Sequence, residues 1–540
     1  MDSGSLSDTQ RTMVLPLLQE KNIIGKPSIL VSSKGIVNGL SNIPNDGADF
    51  GPDTTLGATA PGQYGSPYTT TLGIAEVSAY ASTLAQSEDE VVLIKCTGGV
   101  FNFNQNPTFS PVSGINGSYG GGSGFIPIYP NVAIDFNGAV LNVNYVSTAT
   151  NLFQLLAGTS GFYYGYLKNA TINFLQQQQS GYVAIAIGTG LLKTQIDNIV
   201  INGIVNGTAY IDYAFEMGSN CVVENTNASA LNFLKLTSGT GRIFRNIASY
   251  GIGQGNGGSF IDLTYLDGDT DSLFLETSRI QNCTNFINGT PPSNSYGIRQ
   301  FVFTNNILDA ISSIVGINSV NIKDVFFVGN YMGINTNLLQ VSGSSTSTSV
   351  ANNIYFLSNQ IQGIAQSLIN FVYSTISNTQ LIGNTIEYAG ATQPSNIFYV
   401  QSNATLSNFV MRQNYINLSA ITATGTVVPY PDIEIGENNW VLPSNLTLHS
   451  SQTSGTTAGT ISQLVASSKT FNKKLIIVFA GYENDTTTDQ TVDFVLPFSS
   501  SAIITGNSTG LTISATTSGI TITAPDSTTT YSGIVIVEGY

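Results

Sequence analysis

The residues best suited to chemistry lie in one short acidic stretch, FIDLTYLDGDTDS. It carries Asp262, Asp267, Asp269 and Asp271, with Glu276 just beyond. Closely spaced carboxylates do two kinds of work. A pair can cleave a glycosidic bond, one as general acid and the other as base or nucleophile. A set at alternate positions can ligate a hard cation, and Asp267, Asp269 and Asp271 alternate like the start of a calcium loop. The stretch then departs from that pattern, with Ser272 at the invariant glycine place and Ser278 at the closing acidic place. A solvated turn is the plain alternative. No other cofactor is expected.

Tyrosines form the second candidate group. Tyr163, Tyr164 and Tyr166 stand together in GFYYGYLKN, and Tyr119 sits in the glycine-rich GSYGGGSG. Exposed rings stack on sugar faces and their hydroxyls add hydrogen bonds, so such clusters suit glycan binding; core packing is the alternative. Lone carboxylates such as Glu216, Glu224, Asp309, Asp324 and Glu387 read as outward solubilising positions, while Asp432, Glu434 and Glu437 form a second acidic group near Trp440, at the solenoid's end, where a structural role is favoured over a functional one. The single histidine, His449, excludes a His-rich zinc site and disfavours a Ser-His-Asp triad. Cys96, Cys221 and Cys283 read as buried small hydrophobes, with a Cys221–Cys283 disulfide as the alternative. The many Asn-x-Ser/Thr sequons, Asn282 and Asn403 among them, are what chance supplies in so Asn-rich a chain.

The elements that must position these groups are strands. Of 540 residues 41% are hydrophobic but only 9% charged, against about 25% in ordinary soluble domains. Gly, Ser, Thr and Asn take the place of charge, which suits strands and turns better than exposed helices. A net charge of −15 without a basic cluster excludes nucleic acid as a partner. No apolar run reaches the roughly 18 residues of a membrane span. The opening MDSGSLSDTQRTMVLPLLQEK lacks the basic and apolar regions of a signal peptide, so either a leader has been removed or, as the starting Met1 favours, the protein leaves the cell by virion assembly and lysis. The low charge suits an acidic exterior.

A short motif recurs along the chain: an apolar residue, two variable residues, Asn, one variable residue, then usually another apolar one. It centres on Asn306, Asn330, Asn359, Asn384, Asn414 and, more loosely, Asn439. Weaker matches run upstream through Asn246, Asn225, Asn198 and Asn169. The spacing, roughly 24 to 30 residues, is that of a solenoid. Each coil of alternating strands has an apolar face it cannot bury alone, and stacking supplies the partner. An inward Asn on every coil would bond its counterparts above and below, forming a ladder. The predicted fold is therefore all-β: a right-handed parallel β-helix with an N-terminal cap helix and a C-terminal β-sandwich. A two-sheet sandwich array is the alternative.

Three segments carry a resemblance. NDGADFGPDT (45–54) resembles the Asp/Gly-rich opening of pectate-lyase-like β-helix proteins, a family that includes phage tailspikes and polysaccharide-degrading enzymes. GIAEVSAYASTLAQ (73–86) is similar to that family's cap helix, with Ile74, Val77, Ala81 and Leu84 on one face. VVLIKCTGGVFNF (91–103) looks like its first strand, turn and strand. Lys95-Cys96-Thr97 stands where the family usually has a Pro-containing turn, and a Gly/Pro/Tyr insertion precedes the helix. None of these segments carries a catalytic residue.

The resulting division is 1–40 as adaptor or extension, 41–100 as entry and cap, 101–445 as β-helix, and 446–540 as sandwich. The expected function is a virion-surface attachment protein that contacts host surface glycans. The resemblance to tailspikes implies a homotrimer held to other virion proteins through the N-terminal segment, and the composition suits a thermophilic or acidophilic host. A secreted polysaccharide lyase or glycoside hydrolase is the enzymatic alternative, and a capsid or surface protein without glycan affinity the structural one. The lone His and scarce Lys and Arg weigh against the enzyme.

Overall fold

A computed structural model describes residues 28–417, apart from 86–89, 115–116, 159–163, 189–192, 252–257, 292–295, 319–320, 346–347, 390–397 and 402. Beyond 417 it describes strand backbone only, between 433 and 539. The chain divides after Cys283 into two compact units.

The first unit is a parallel β-solenoid with a short entry. Ile29–Val31 pairs parallel with Val92–Cys96, Ile29 opposite Ile94. The Asp/Gly-rich opening then knots the backbone. The Asp53 carboxylate accepts the N–H groups of Ile36 (2.8 Å), Val37 (2.6 Å) and Asn45 (2.8 Å), and the Asn45 side chain accepts the Asp53 N–H (2.8 Å). This knot leads into the cap helix α1, Ile74–Leu84, on which Ile74, Val77 and Ala81 are buried. Gly73 caps α1 at φ 82°, and a Cβ there would meet the Gly51 backbone nitrogen at 2.6 Å, so only glycine fits.

Alternation then sets every coil. Ile94, Ile134, Leu167, Ile196, Val223, Phe244 and Leu275 stand in register on successive coils, pointing inward and almost fully buried. The next residue on each strand faces outward, and there the row reads Lys95, Asp135, Lys168, Asp197, Glu224, Arg245, Glu276. Each inward aliphatic contributes about 1.5–3 kcal/mol of burial. A one-residue slip would exchange the two rows, so register is strongly held. The three cysteines are free and buried.

The second unit continues the parallel pattern through Gly297–Thr304, Asn321–Val328, Ser349–Leu357 and Gln380–Ile382. Phe303, Phe327 and Phe356 stack inside it, with centroids 4.9 and 4.8 Å apart. Near its end, Lys474–Glu483 pairs antiparallel with both Thr486–Pro497 and Tyr531–Gly539. A separate antiparallel sheet joins Thr460–Ser462, Gly519–Thr523, Thr512–Thr516 and Ala502–Thr505.

The predicted asparagine ladder runs through this second unit. Asn306, Asn330, Asn359, Asn384 and Asn414 are all buried. The backbone N–H and side-chain Nδ2 of each of the first four donate to the Oδ1 of the next, at 2.9–3.0 Å. Each Nδ2 from Asn330 onward also donates to a carbonyl one coil back, on Phe303, Phe327, Phe356 and Leu381. Asn439 pairs with Tyr415 through backbone register, but its side chain lies outside the described residues.

The upstream matches require a correction. Asn169, Asn198, Asn225 and Asn246 occupy the left-handed turn position, at φ 60°, 52°, 49° and 50°, one place before the inward residue. There Ala170, Ile199, Thr226 and Ile247 point inward instead. Asparagine suits both places: at the turn it tolerates αL and pairs its amide on the outer surface, Asn198 donating to Asn169 and Asn246 to Asn225, each at 2.8 Å, whereas at the inward place it pairs within the core. Spacing alone cannot separate them.

Candidate functional site

The first unit presents two chemically distinct outward rows. One is the charged row already described, and most of its groups satisfy one another. Lys168 Nζ lies 3.4 Å from Asp135, and Arg245 lies 3.4 Å from Glu224 and 3.3 Å from Glu276. The turn asparagines add bonds, Asn169 donating to Asp135 and Asn225 to Asp197, each at 2.8 Å. Burial disfavours the charged form of Asp135, but the Asn169 amide, the Asn137 N–H and the Lys168 ammonium outweigh it and hold its carboxyl below the ordinary aspartate value.

A pH dependence follows from that direction. The stabilisation from Asp135 is fully present above the unfolded value of about 3.9 and is lost as pH falls through the lower folded value. Asp135→Asn should therefore destabilise the protein at pH 7 and cost much less near pH 2, as read by urea unfolding at both pH values.

The second row lies on another sheet of the same coils. Ala186, Glu216, Lys235 and Asp262 are in register on consecutive coils. Lys235 Nζ donates to Glu216 Oε2 at 2.9 Å and sits 4.7 Å from the centroid of the Tyr265 ring, a cation–π contact. Asp262 is 8% exposed; its Oδ2 accepts the Tyr213 hydroxyl at 2.5 Å and its Oδ1 the Thr264 N–H at 2.9 Å. Burial, then the Asp262 charge, pushes the Tyr213 hydroxyl far up, so it stays a donor. Tyr213 also meets Tyr265 edge-on at 6.0 Å. Tyr265 remains 44% exposed, a ring held in place with one part open to solvent.

This geometry divides the acidic stretch predicted to act together. Asp262 belongs to the row with Glu216 and Lys235, whereas Glu276 pairs with Arg245 on the charged row of a different sheet. Asp267 and Asp269 are exposed between them, and Asp267 accepts the Ser238 N–H at 2.9 Å. The bonds from Ser238 hold the Asp267 carboxyl below its usual value. Asp271 is the second residue of the strand Thr270–Glu276, near the fully buried Arg242. Among the described residues no three His, Cys, Asp or Glu side chains gather to hold a metal ion.

The predicted tyrosine cluster is also dispersed. Tyr164 is buried, at 9% exposed, with the Lys193 ammonium 5.8 Å from its ring centroid. Tyr166 is half-buried and directs its hydroxyl to Asp197 at 3.5 Å; burial and the Asp197 charge push it up to about 12. The Tyr119 hydroxyl donates to the Ala157 carbonyl at 3.1 Å. Tyr163, His449, Asp432 and Glu437 lie outside the described residues. Tyr265, which the sequence reading passed over, is one of several tyrosines the fold leaves open, with Tyr64, Tyr68, Tyr399 and Tyr415, and is the one beside the Glu216–Lys235–Asp262 row; its place inside FIDLTYLDGDTDS was the available signal.

No family model matches the chain, and no curated protein matches it. Solved structures do. One is a tailspike protein mutant of E. coli bacteriophage HK620 in complex with a hexasaccharide, at 11% identity and TM-score 0.42 over 90% of this chain and 93% of that one. A second is the same phage's tailspike mutant with a pentasaccharide, at 10% identity and TM-score 0.38 over 90% and 94%. A third is the Dettilon tailspike protein, at 11% identity and TM-score 0.36 over 87% and 91%. The class of this chain, a parallel β-solenoid, is defined by its own strand register. Among the described residues no helix is long and apolar enough to cross a membrane.

Proposed function

We propose that this chain is a virion-surface attachment protein that contacts host glycans through the Glu216–Lys235–Asp262 row and the Tyr265 ring beside it. The observation that carries the reading is the Tyr265 ring, exposed yet braced by Tyr213 and Lys235. A preordered aromatic stacks on a sugar face at little entropic cost, and the half-buried Glu216 carboxylate accepts bonds from sugar hydroxyls, while the buried Asp262 holds Tyr213 in place. A homotrimer, contacts to other virion proteins through residues 1–40, and a host living in hot acid belong to the same proposal.

A second reading rests on one feature of the row. Glu216 and Asp262 stand two coils apart, about 9.5 Å at strand spacing, near the carboxylate separation of inverting glycosidases. Both carboxylates are already hydrogen-bond acceptors, an arrangement that suits binding better than proton donation.

Adsorption to host envelope polysaccharide, with reducing ends assayed in the same samples, separates the readings. Tyr265→Ala should weaken adsorption roughly tenfold, while Tyr166→Phe, on the other row, should leave it unchanged. Equal adsorption by Tyr265→Ala and the parent would sink the attachment site. New reducing ends that vanish in Glu216→Gln or Asp262→Asn would establish the hydrolase.

A further inference from the structure

Away from both rows, α1 borders a cavity of about 170 Å³. That is close to the roughly 150 Å³ that accommodates a six-membered ring such as benzene. One helix face supplies Glu76, Ala79, Tyr80 and Thr83, at spacings that share a side. The opposite wall is the 109–113 segment with Phe109, and Tyr129 lines the same space.

Two polar groups there are poorly accounted for by packing. Glu76 is 3% exposed; Thr71 donates to its Oε2 at 2.6 Å, but its Oε1 has only a long contact, 3.5 Å, from the Gly57 N–H. Burial pushes its carboxyl above the usual value. Tyr129 is 1% exposed, and its hydroxyl meets no hydrogen-bonding partner among the described residues. Its backbone N–H is anchored on Ser78 of α1 at 2.7 Å, and the Tyr119 ring packs edge-on against it at 5.1 Å. A buried polar atom without a partner is destabilising, and a ligand hydroxyl would supply the missing bond.

We infer that this cavity is a binding site for a neutral six-membered polyol ring of monosaccharide size, separate from the lateral glycan row. The lining matches that chemistry. Glu76 Oε1 accepts from a ring hydroxyl, the Tyr129 hydroxyl exchanges a bond with a second, and Phe109 and Tyr80 offer apolar surface for the ring carbons. Among the described residues no Lys or Arg lines the space, so an anionic ligand would face Glu76 uncompensated.

The test is saturation-transfer NMR on the full chain with D-glucose, D-galactose and D-mannose, each to roughly 50 mM because ligands this small bind weakly. Transfer to the ring protons of at least one sugar is expected. Ala79→Leu, which fills the space, should abolish it, and Tyr129→Phe should weaken binding roughly tenfold. Tyr129→Phe removes one oxygen and leaves packing intact, so it decides the matter even if Ala79→Leu fails to fold, as circular dichroism would reveal. No transfer to any sugar, or transfer unchanged by Tyr129→Phe, overturns the inference. Polysaccharide adsorption measured in parallel should survive both variants and respond only to Tyr265→Ala, so the lateral site and the cavity fail independently.

Discussion

Asn359→Leu should lower the unfolding free energy of the second unit by about 4 kcal/mol. The side chain makes four hydrogen bonds at once. Its Oδ1 accepts the Asn330 N–H and the Asn330 Nδ2, and its own Nδ2 donates to the Phe327 carbonyl and to Asn384 Oδ1. Leucine matches the volume and restores none of these. Two donors and a carbonyl would then lie in a dry interior between stacked phenylalanines, each costing about 1–3 kcal/mol. An exposed rung provides the contrast. Asn202 donates to Asn173 at 2.8 Å on the outer surface, where water replaces a lost partner, so Asn202→Ala should cost under about 1 kcal/mol. Urea unfolding of both variants checks the pair. A loss below about 1 kcal/mol for Asn359→Leu would mean that the ladder is not the element holding these coils in register.

Arg242→Met should destabilise the first unit by about 2 kcal/mol and should also weaken adsorption to glycan. Arg242 sits at an inward position, in register with Cys221 and Leu273, and is fully buried. Its guanidinium reaches the turn above the core, donating to the Thr237 carbonyl at 2.9 Å, the Gly239 carbonyl at 3.0 Å and the Thr270 hydroxyl at 2.6 Å. Burial pulls its pKa down to about 10, still cationic at neutral pH. Methionine fills the volume but leaves the Thr237 carbonyl without this donor, while the Gly239 carbonyl keeps the Asp271 N–H and the Thr270 hydroxyl; the fork geometry that serves the three oxygens together is unavailable to lysine. The turn at 237–240 follows the strand that carries Lys235, so loosening it disorders the Tyr265 platform. Unchanged adsorption by a folded Arg242→Met variant would separate this turn from the site.

What the residues alone determined follows from repetition. An inward place recurs on every coil, so the Asn306 to Asn414 series and the apolar residues around it announce a solenoid and its ladder. The entry knot at Asn45–Thr54 and helix α1 are equally local: they depend on side chains bonding their own neighbourhood, and their bounds come within two residues of the expected ones. The site is different in kind. Alternation says which residues point outward, but not how many residues each turn holds, and that number decides which outward residues meet. Glu216 and Lys235 lie 19 residues apart, while Asp262, on the following coil, is separated from Lys235 by a longer turn. Unequal turns therefore bring Glu216, Lys235 and Asp262 into one row and send Glu276, a near neighbour of Asp262 in sequence, to another sheet. For the same reason Tyr164 is buried while Tyr265 stays open. A one-residue offset puts Asn198 in a turn and Asn330 in the core, because asparagine suits both places and only the stacked backbone distinguishes them.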